Sequence, residues 1–168
     1  MKAWSQFEDM IDRTNEWYCR NRKGTVTKIP NGTKTIRVGG KPVVIPTDKT
    51  GCDFIGHLKG RPIAFDCKST ENKTAFPFYV GNKPMLKDHQ KNFLKDFKLS
   101  AGTAFLLIQF NKSHQVFLVD VDDYLNMQKN LGRKSIPLDY LKEFEVRQHG
   151  YYSHYLEKLE QNYWQEQI

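Results

Sequence analysis

Two aspartates and a lysine, Asp53, Asp66 and Lys68, sit in the stretch GCDFIGHLKGRPIAFDCKST, Gly51–Thr70. The stretch reads as a β-hairpin turning at Lys59-Gly60, with Leu58 facing Arg61. In that register Asp53 faces Asp66 on the neighbouring strand, their Cβ atoms about 4.5–5.5 Å apart. Alternation puts Lys68 on the Asp66 side and turns Phe65 and Cys67 to the other. Opposed like charges destabilise a strand pair, and a divalent cation between them removes that penalty. Oxygen-only ligands suit Mg²⁺, with Mn²⁺ the alternative. A lysine beside such a site can stabilise developing negative charge or lower the pKa of an attacking water. That is equipment for phosphodiester hydrolysis. An exposed, salt-bridged hairpin face accounts for the same three residues, and the spacing alone does not choose between the two.

The tripeptide Asp66-Cys67-Lys68 is not informative by itself, because Glu71-Asn72-Lys73 and Asp96-Phe97-Lys98 have the same form. Those two read as a polar loop and the solvated side of a helix. Only Asp66-Cys67-Lys68 ends a β-run and faces a second carboxylate. Cys52 and Cys67 fall in the same register as the aspartates, which predicts two opposed, reduced thiols on the apolar face.

Several elements must position this hairpin. Apolar residues at helical spacing predict a helix from Ser5 to about Cys19, with Ser5 and Glu8 forming a capping box that sets its start. Thr25–Thr50 is β-branched, basic and turn-rich, with Asn31-Gly32 and Gly39-Gly40 as turn signals. It reads as a projecting β-ribbon poor in core residues. After the hairpin, Pro84–Lys98 reads as an amphipathic helix that turns His89 to the core and ends near Gly102. Thr103–Phe110, TAFLLIQF, reads as a central strand buried on both faces, and Gln115–Val121 as its neighbour. Short helices over Asp122–Lys129 and Pro137–Phe144 flank a polar loop, GRKSIP. An aromatic helix from about Tyr152 to Trp164 closes the chain and is read as core or dimer interface. The order describes one mixed α/β domain over residues 1–168.

The 168 residues suffice for one core without staples, and no apolar run approaches the ~20 residues of a membrane span. The opening MKAWSQFEDM is too polar and acidic for a signal peptide, so a cytoplasmic location is expected. Three cysteines and five histidines form no paired-ligand pattern, which argues against a zinc site. A net charge of +7 with pI near 9.2 favours a polyanionic partner, nucleic acid before an anionic membrane surface.

The spacing of Asp53 from Asp66-Cys67-Lys68 resembles the PD-(D/E)xK nuclease core. The flanking segments resemble the RecU-type Holliday junction resolvases: Phe7–Tyr18 (FEDMIDRTNEWY), Cys52–Phe78 (CDFIGHLKGRPIAFDCKSTENKTAFPF), Asp88-His89-Gln90, the strand TAFLLIQF, and Gly132–Ile136 (GRKSI). The resemblance implies a restriction-endonuclease-like mixed β-sheet flanked by helices, with residues 25–50 as a projecting stalk. It implies Asp53, Asp66 and Glu8 as metal ligands, the Cys67 backbone carbonyl as a further one, and Lys68 beside the attacking water. DNA contacts are expected from Lys28, Lys34, Arg37 and Lys41 on the ribbon, and from Arg61, Lys73, Thr74, Gln90, Arg133 and Lys134 elsewhere.

The implied activity is metal-dependent, structure-selective endonuclease cleavage that resolves four-way DNA junctions by symmetric paired nicks during recombination and repair, leaving 5′-phosphate ends. Two cuts imply a two-fold homodimer. Recombinase or branch-migration proteins are implied as further partners, and no membrane. A duplex-cutting PD-(D/E)xK nuclease and a non-catalytic junction-binding architectural protein are the competing readings. The chain departs from the resembled family: Asp66 stands where glutamate is usual, the ribbon reads as shorter than the stalk of cellular members, and their basic N-terminal extension is not expected here.

Overall fold

Phe7, Ile11 and Tyr18 recur on one side of the first helix, α1 (Ala3–Arg20), and all three are buried. The computed structural model describes residues 2–46, 49–100 and 102–165. The helix begins two residues before the predicted start, and the Ser5–Glu8 capping box is not formed. Lys2 is the N-cap without a side-chain cap, and the Ser5 N–H already donates to the Lys2 carbonyl at 3.1 Å. Ser5 therefore lies inside the first turn, where its side chain has no cap to make.

The strands that follow are β1 (Gly24–Lys28), β2 (Thr33–Val38), β3 (Lys41–Pro46), β4 (Phe54–Leu58) and β5 (Arg61–Thr70). Short strands β6 (Ala75–Pro77), β7 (Tyr79–Val80) and β8 (Lys83–Pro84) lead to α2 (Asp88–Ser100), then β9 (Thr103–Phe110) and β10 (Gln115–Asp120). Next come α3 (Val121–Asn130), β11 (Ser135–Pro137), α4 (Leu138–Leu141) and a 3-10 turn, Lys142–Phe144. The last elements are β12 (Glu145–Val146), β13 (Gln148–His149), β14 (Tyr152–Ser153) and α5 (Tyr155–Asn162).

Six strands form one mixed sheet in the order β1-β4-β5-β9-β10-β12. Only β5 and β9 run parallel, as the crossover through α2 requires. Both faces are covered. Phe65, Phe105 and Leu107 point to α1 and α5, while Ala64, Leu106 and Ile108 point to α2 and α3. This is the predicted mixed α/β sheet flanked by helices, with TAFLLIQF as a central strand.

Four boundaries differ from the sequence reading. The first part of the predicted ribbon, β1, is the edge strand of the main sheet, because Val26 packs against its core. Only β2 and β3 form a separate two-stranded ribbon, turning at Gly39-Gly40, both at positive φ. Helix α2 starts at Asp88 rather than Pro84, since Lys83 and Pro84 pair with Tyr79 and Val80. Part of the GRKSIP loop is strand: Ser135–Pro137 pairs with β6. The last helix starts at Tyr155, because Tyr152 and Ser153 pair back onto β13. Among the described residues, no helix is long and apolar enough to cross a membrane.

Candidate active site

The hairpin β4–β5 turns at Lys59-Gly60 with φ of 50° and 74°, the turn geometry that matches strand twist. Leu58 pairs with Arg61 and Phe54 with Phe65, the register read from the sequence. Phe54, Phe65 and Phe105 stack across three strands, with ring centroids 5.0 and 4.7 Å apart. This stack fixes the register beside the two aspartates. Beyond Phe54 the ladder opens. The Asp53 N–H donates to the Phe65 carbonyl at 3.2 Å, and Asp53 Oδ2 accepts from the Cys67 N–H at 2.8 Å. Asp53 and Asp66 thus lie side by side where two strands diverge.

Asp66 is completely buried. Lys68 Nζ lies 2.7 Å from its Oδ2 but off the hydrogen-bonding direction, so neither buried oxygen of Asp66 has a hydrogen-bond partner. Lys68 Nζ also donates to Gln90 Oε1 at 3.1 Å. Burial first, and the adjacent Asp66 charge second, push the Asp53 carboxyl up to about 7, while the Cys67 N–H and Lys68 oppose the shift.

That shift has a sign. Folded protein holds a proton on Asp53 that the unfolded chain releases near its ordinary value of 3.8. The metal-free fold is therefore expected to lose stability as pH rises from about 4 through about 7. Thermal unfolding across this range, in a metal-free buffer, is expected to show the decline in wild type and a flatter profile in Asp53→Asn. Equal slopes in both would contradict the assignment.

The other predicted residues are distributed unevenly. Glu8 Oε2 is ion-paired with Lys28 Nζ at 2.6 Å. Among the described residues no three His, Cys, Asp or Glu side chains gather closely enough to hold a metal ion. Lys34, Arg37 and Lys41 are exposed along the β2–β3 ribbon. Arg61 lies at the turn end of the hairpin, its guanidinium 5.2 Å from the centre of the Trp164 ring. Lys73, Thr74, Arg133 and Lys134 are exposed. The pairing of β6 with β11 sets the first two and the last two at opposite ends of a small sheet.

Two expectations are corrected. Cys52 and Cys67 do not face one another. Cys52 packs among Ala64, Phe76 and Leu94, whereas Cys67 packs on the α1 side, because strand alternation stops where the ladder opens at Asp53. His89 does not face the core either. It stands in the first turn of α2 and lines a cleft of about 780 Å³ with Asn31, Lys49, Asp53, Lys87 and Asn92. Burial and the charges of Lys49, Lys87 and Lys68 lower its pKa. The cleft was not legible in the sequence, because Asn31 and Lys49 reach it from the base of the ribbon.

The residues present fit a hard divalent cation. A buried carboxylate held only by an ion pair, with no hydrogen bond to its oxygens, is costly, and two carboxylates within hydrogen-bonding reach of each other repel unless a proton or cation lies between them. Oxygen donors alone suit Mg²⁺ or Mn²⁺ better than a thiophilic metal.

Comparison with known proteins places this arrangement in a family. Residues 4–161 match the family profile described as Recombination protein U. The chain is similar to a Holliday junction resolvase RecU of Oceanobacillus iheyensis, 30% identical over 145 residues that cover 80% of this chain and 71% of that protein. The Pediococcus pentosaceus protein of the same description is 29% identical over 153 residues, covering 84% and 73%. That of Bacillus subtilis is 30% identical over 146 residues, covering 81% and 68%. Because the matched span runs from α1 to α5 and takes in the β4–β5 hairpin with both carboxylates, the chain belongs to the RecU family.

Proposed function

We propose that this protein is a Holliday junction resolvase, a divalent-metal-dependent endonuclease that nicks opposite strands of a four-way DNA junction in recombination and repair. The observation that carries the catalytic part is the Asp53–Asp66 pair, one member wholly buried with both carboxylate oxygens lacking a hydrogen bond. Family membership supports the junction as substrate.

Asp53 and Asp66 would hold the cation, Mg²⁺ before Mn²⁺. The Cys67 carbonyl is a third candidate ligand, since N–H and C=O of one strand residue point to the same side and the Cys67 N–H points to Asp53. Glu8 would join by releasing Lys28. When bound, the cation supplies Lewis-acid polarisation of the phosphoryl oxygen and an activated water. Lys68, held near Asp66, stabilises charge that develops on the phosphate and orients the nucleophile. In-line attack on phosphorus breaks the P–O3′ bond, and the proton passes to the departing oxygen, giving 5′-phosphate and 3′-hydroxyl ends. Lys49, Lys87 and Gln90 line the cleft that opens on Asp53 and would meet the backbone of the cut strand. Lys73, Thr74, Arg133 and Lys134 would meet flanking DNA.

Residues 1–168 would act as one nuclease domain, paired as a two-fold dimer so that two sites cut symmetrically, and working on DNA in the cytoplasm. The β2–β3 ribbon would be the stalk, pairing with no other strand among the described residues and presenting Lys34, Arg37 and Lys41. Its role yields a test of substrate choice. Wild type is expected to nick a labelled four-way junction at symmetric positions and to spare a duplex of the same sequence. Replacing Lys34, Arg37 and Lys41 together by alanine is expected to weaken junction binding, with a salt dependence lower by up to about 0.9 per lost phosphate contact. The chemistry on bound junction should change little. Equal cutting of junction and duplex by wild type would reduce the reading to a general duplex nuclease.

A further inference from the structure

We propose that the β7–β8 hairpin carries a base-stacking residue, Tyr79, that receives an unstacked nucleobase at the branch point of the junction; the proposal rests on the junction reading for its substrate. Tyr79 and Val80 are 51% and 63% exposed, on a hairpin that pairs with no other strand among the described residues. Side chains so placed add nothing to the core. Their surroundings are basic: from Lys73 to Lys87 the chain carries three lysines and no acidic residue. The hairpin also joins the two regions assigned above to flanking DNA and to the cut strand. At its start the Phe78 N–H donates to the Lys134 carbonyl at 3.0 Å, and three residues past its end Lys87 lines the cleft that opens on Asp53. DNA that follows these lysines passes the hairpin. Lysines bind its phosphates, whereas a Tyr-Val pair has mostly apolar surface to offer. What fits an aromatic surface within reach of a phosphate backbone is the face of a base, which stacks whatever the sequence. Intact duplex keeps those faces covered, and unstacking costs least where the duplex is interrupted. The residue therefore favours the branch point over an arm.

The hairpin is built to hold a position. Its turn is Gly81-Asn82, with Gly81 at φ 61°, a short glycine-first turn that matches strand twist. Both strands are tied at their base. Buried Phe78 meets Tyr124 edge-on, with ring centroids 5.6 Å apart, and the Met85 N–H donates to the Phe78 carbonyl at 2.8 Å. Across the ladder Tyr79 pairs with Pro84, whose ring fixes the backbone there. An aromatic side chain on such a support loses little entropy when a base stacks on it.

The test is photo-cross-linking of wild type, in EDTA, to a four-way junction carrying 5-iodouracil either beside the branch point or in mid-arm. The expected product joins the branch-point base to Tyr79, located by mass spectrometry, with none from mid-arm. Tyr79→Ala is expected to raise the junction Kd by about 5- to 100-fold, with duplex affinity and the salt dependence unchanged because no phosphate contact is lost. Tyr79→Phe is expected to bind like wild type. Equal cross-linking from both positions, or wild-type junction affinity in Tyr79→Ala, would overturn the proposal. So would a Tyr79→Ala protein that sediments as a monomer where wild type is a dimer, which would make the hairpin a contact between two copies. Cross-linking at Tyr79 without cleavage once Mg²⁺ is added would keep the stacking residue and sink the nuclease reading. Junction cleavage with no cross-link at Tyr79 would do the reverse.

Discussion

Asp66→Asn is expected to lower the rate of junction cleavage by about 10³-fold or more, the equivalent of several kcal/mol of lost transition-state stabilisation. The change is nearly isosteric, so it tests the charge and not the packing. Asp66 lies in β5 between the Phe54–Phe65–Phe105 stack and Lys68, and its carboxylate carries no hydrogen bond. An amide there removes the repulsion against Asp53. The metal-free variant is accordingly expected to be at least as stable as wild type at neutral pH, since Lys68 is partly exposed and keeps Gln90 and solvent as partners. Loss of activity with retained Tm is the combination to look for. A variant that unfolds more readily than wild type would show that the carboxylate serves the fold.

Lys68→Met is expected to behave in the opposite way on stability. Methionine preserves much of the aliphatic stem but removes the only cation bound to Asp66 among the described residues. Two adjacent carboxylates, one fully buried, are left uncompensated. Breaking a buried pair by deleting one partner costs on the order of 3–5 kcal/mol, discounted here because Lys68 is not fully enclosed. Metal-free Lys68→Met is therefore expected to melt below wild type at pH 8, with the gap closing as acid protonates the aspartates. Cleavage is expected to fall by about 10²- to 10³-fold, the usual cost of deleting one preorganised charge-stabilising group. Cleavage at the wild-type rate would exclude Lys68 from the chemistry.

Much of this site was legible because hairpin register is arithmetic. Once the Lys59-Gly60 turn is chosen, the stacked pair Phe54 and Phe65 follows, and Asp53 and Asp66 come next to each other just past the last paired residues, although the pairing itself stops at Phe54. The burial of Asp66 was not legible. It depends on α2 packing over that face, and nothing in the hairpin itself says that a charged face will be covered. The Cys52–Cys67 expectation failed for a related reason: alternation holds only inside a paired ladder, and the ladder opens at Asp53. The capping box at Ser5–Glu8 was a true local signal that lost to tertiary context, because the helix continues two residues further and Glu8 meets Lys28 from the edge strand. The half-box at Gln90, which accepts from the Lys87 N–H, is hidden in the sequence, because the apolar spacing of Pro84–Lys98 places the helix start four residues before Asp88. The ribbon was legible in composition but not in extent, because β1 has the same β-branched, basic composition and still enters the sheet.

The most direct test compares wild type with Asp66→Ala on a four-way junction labelled on opposite strands, in Mg²⁺ and in EDTA. Paired nicks with 5′-phosphate ends are expected for wild type in Mg²⁺, and none for the variant or in EDTA, while both proteins still bind the junction. Tight junction binding by wild type with no cleavage in either Mg²⁺ or Mn²⁺ would contradict the nuclease assignment.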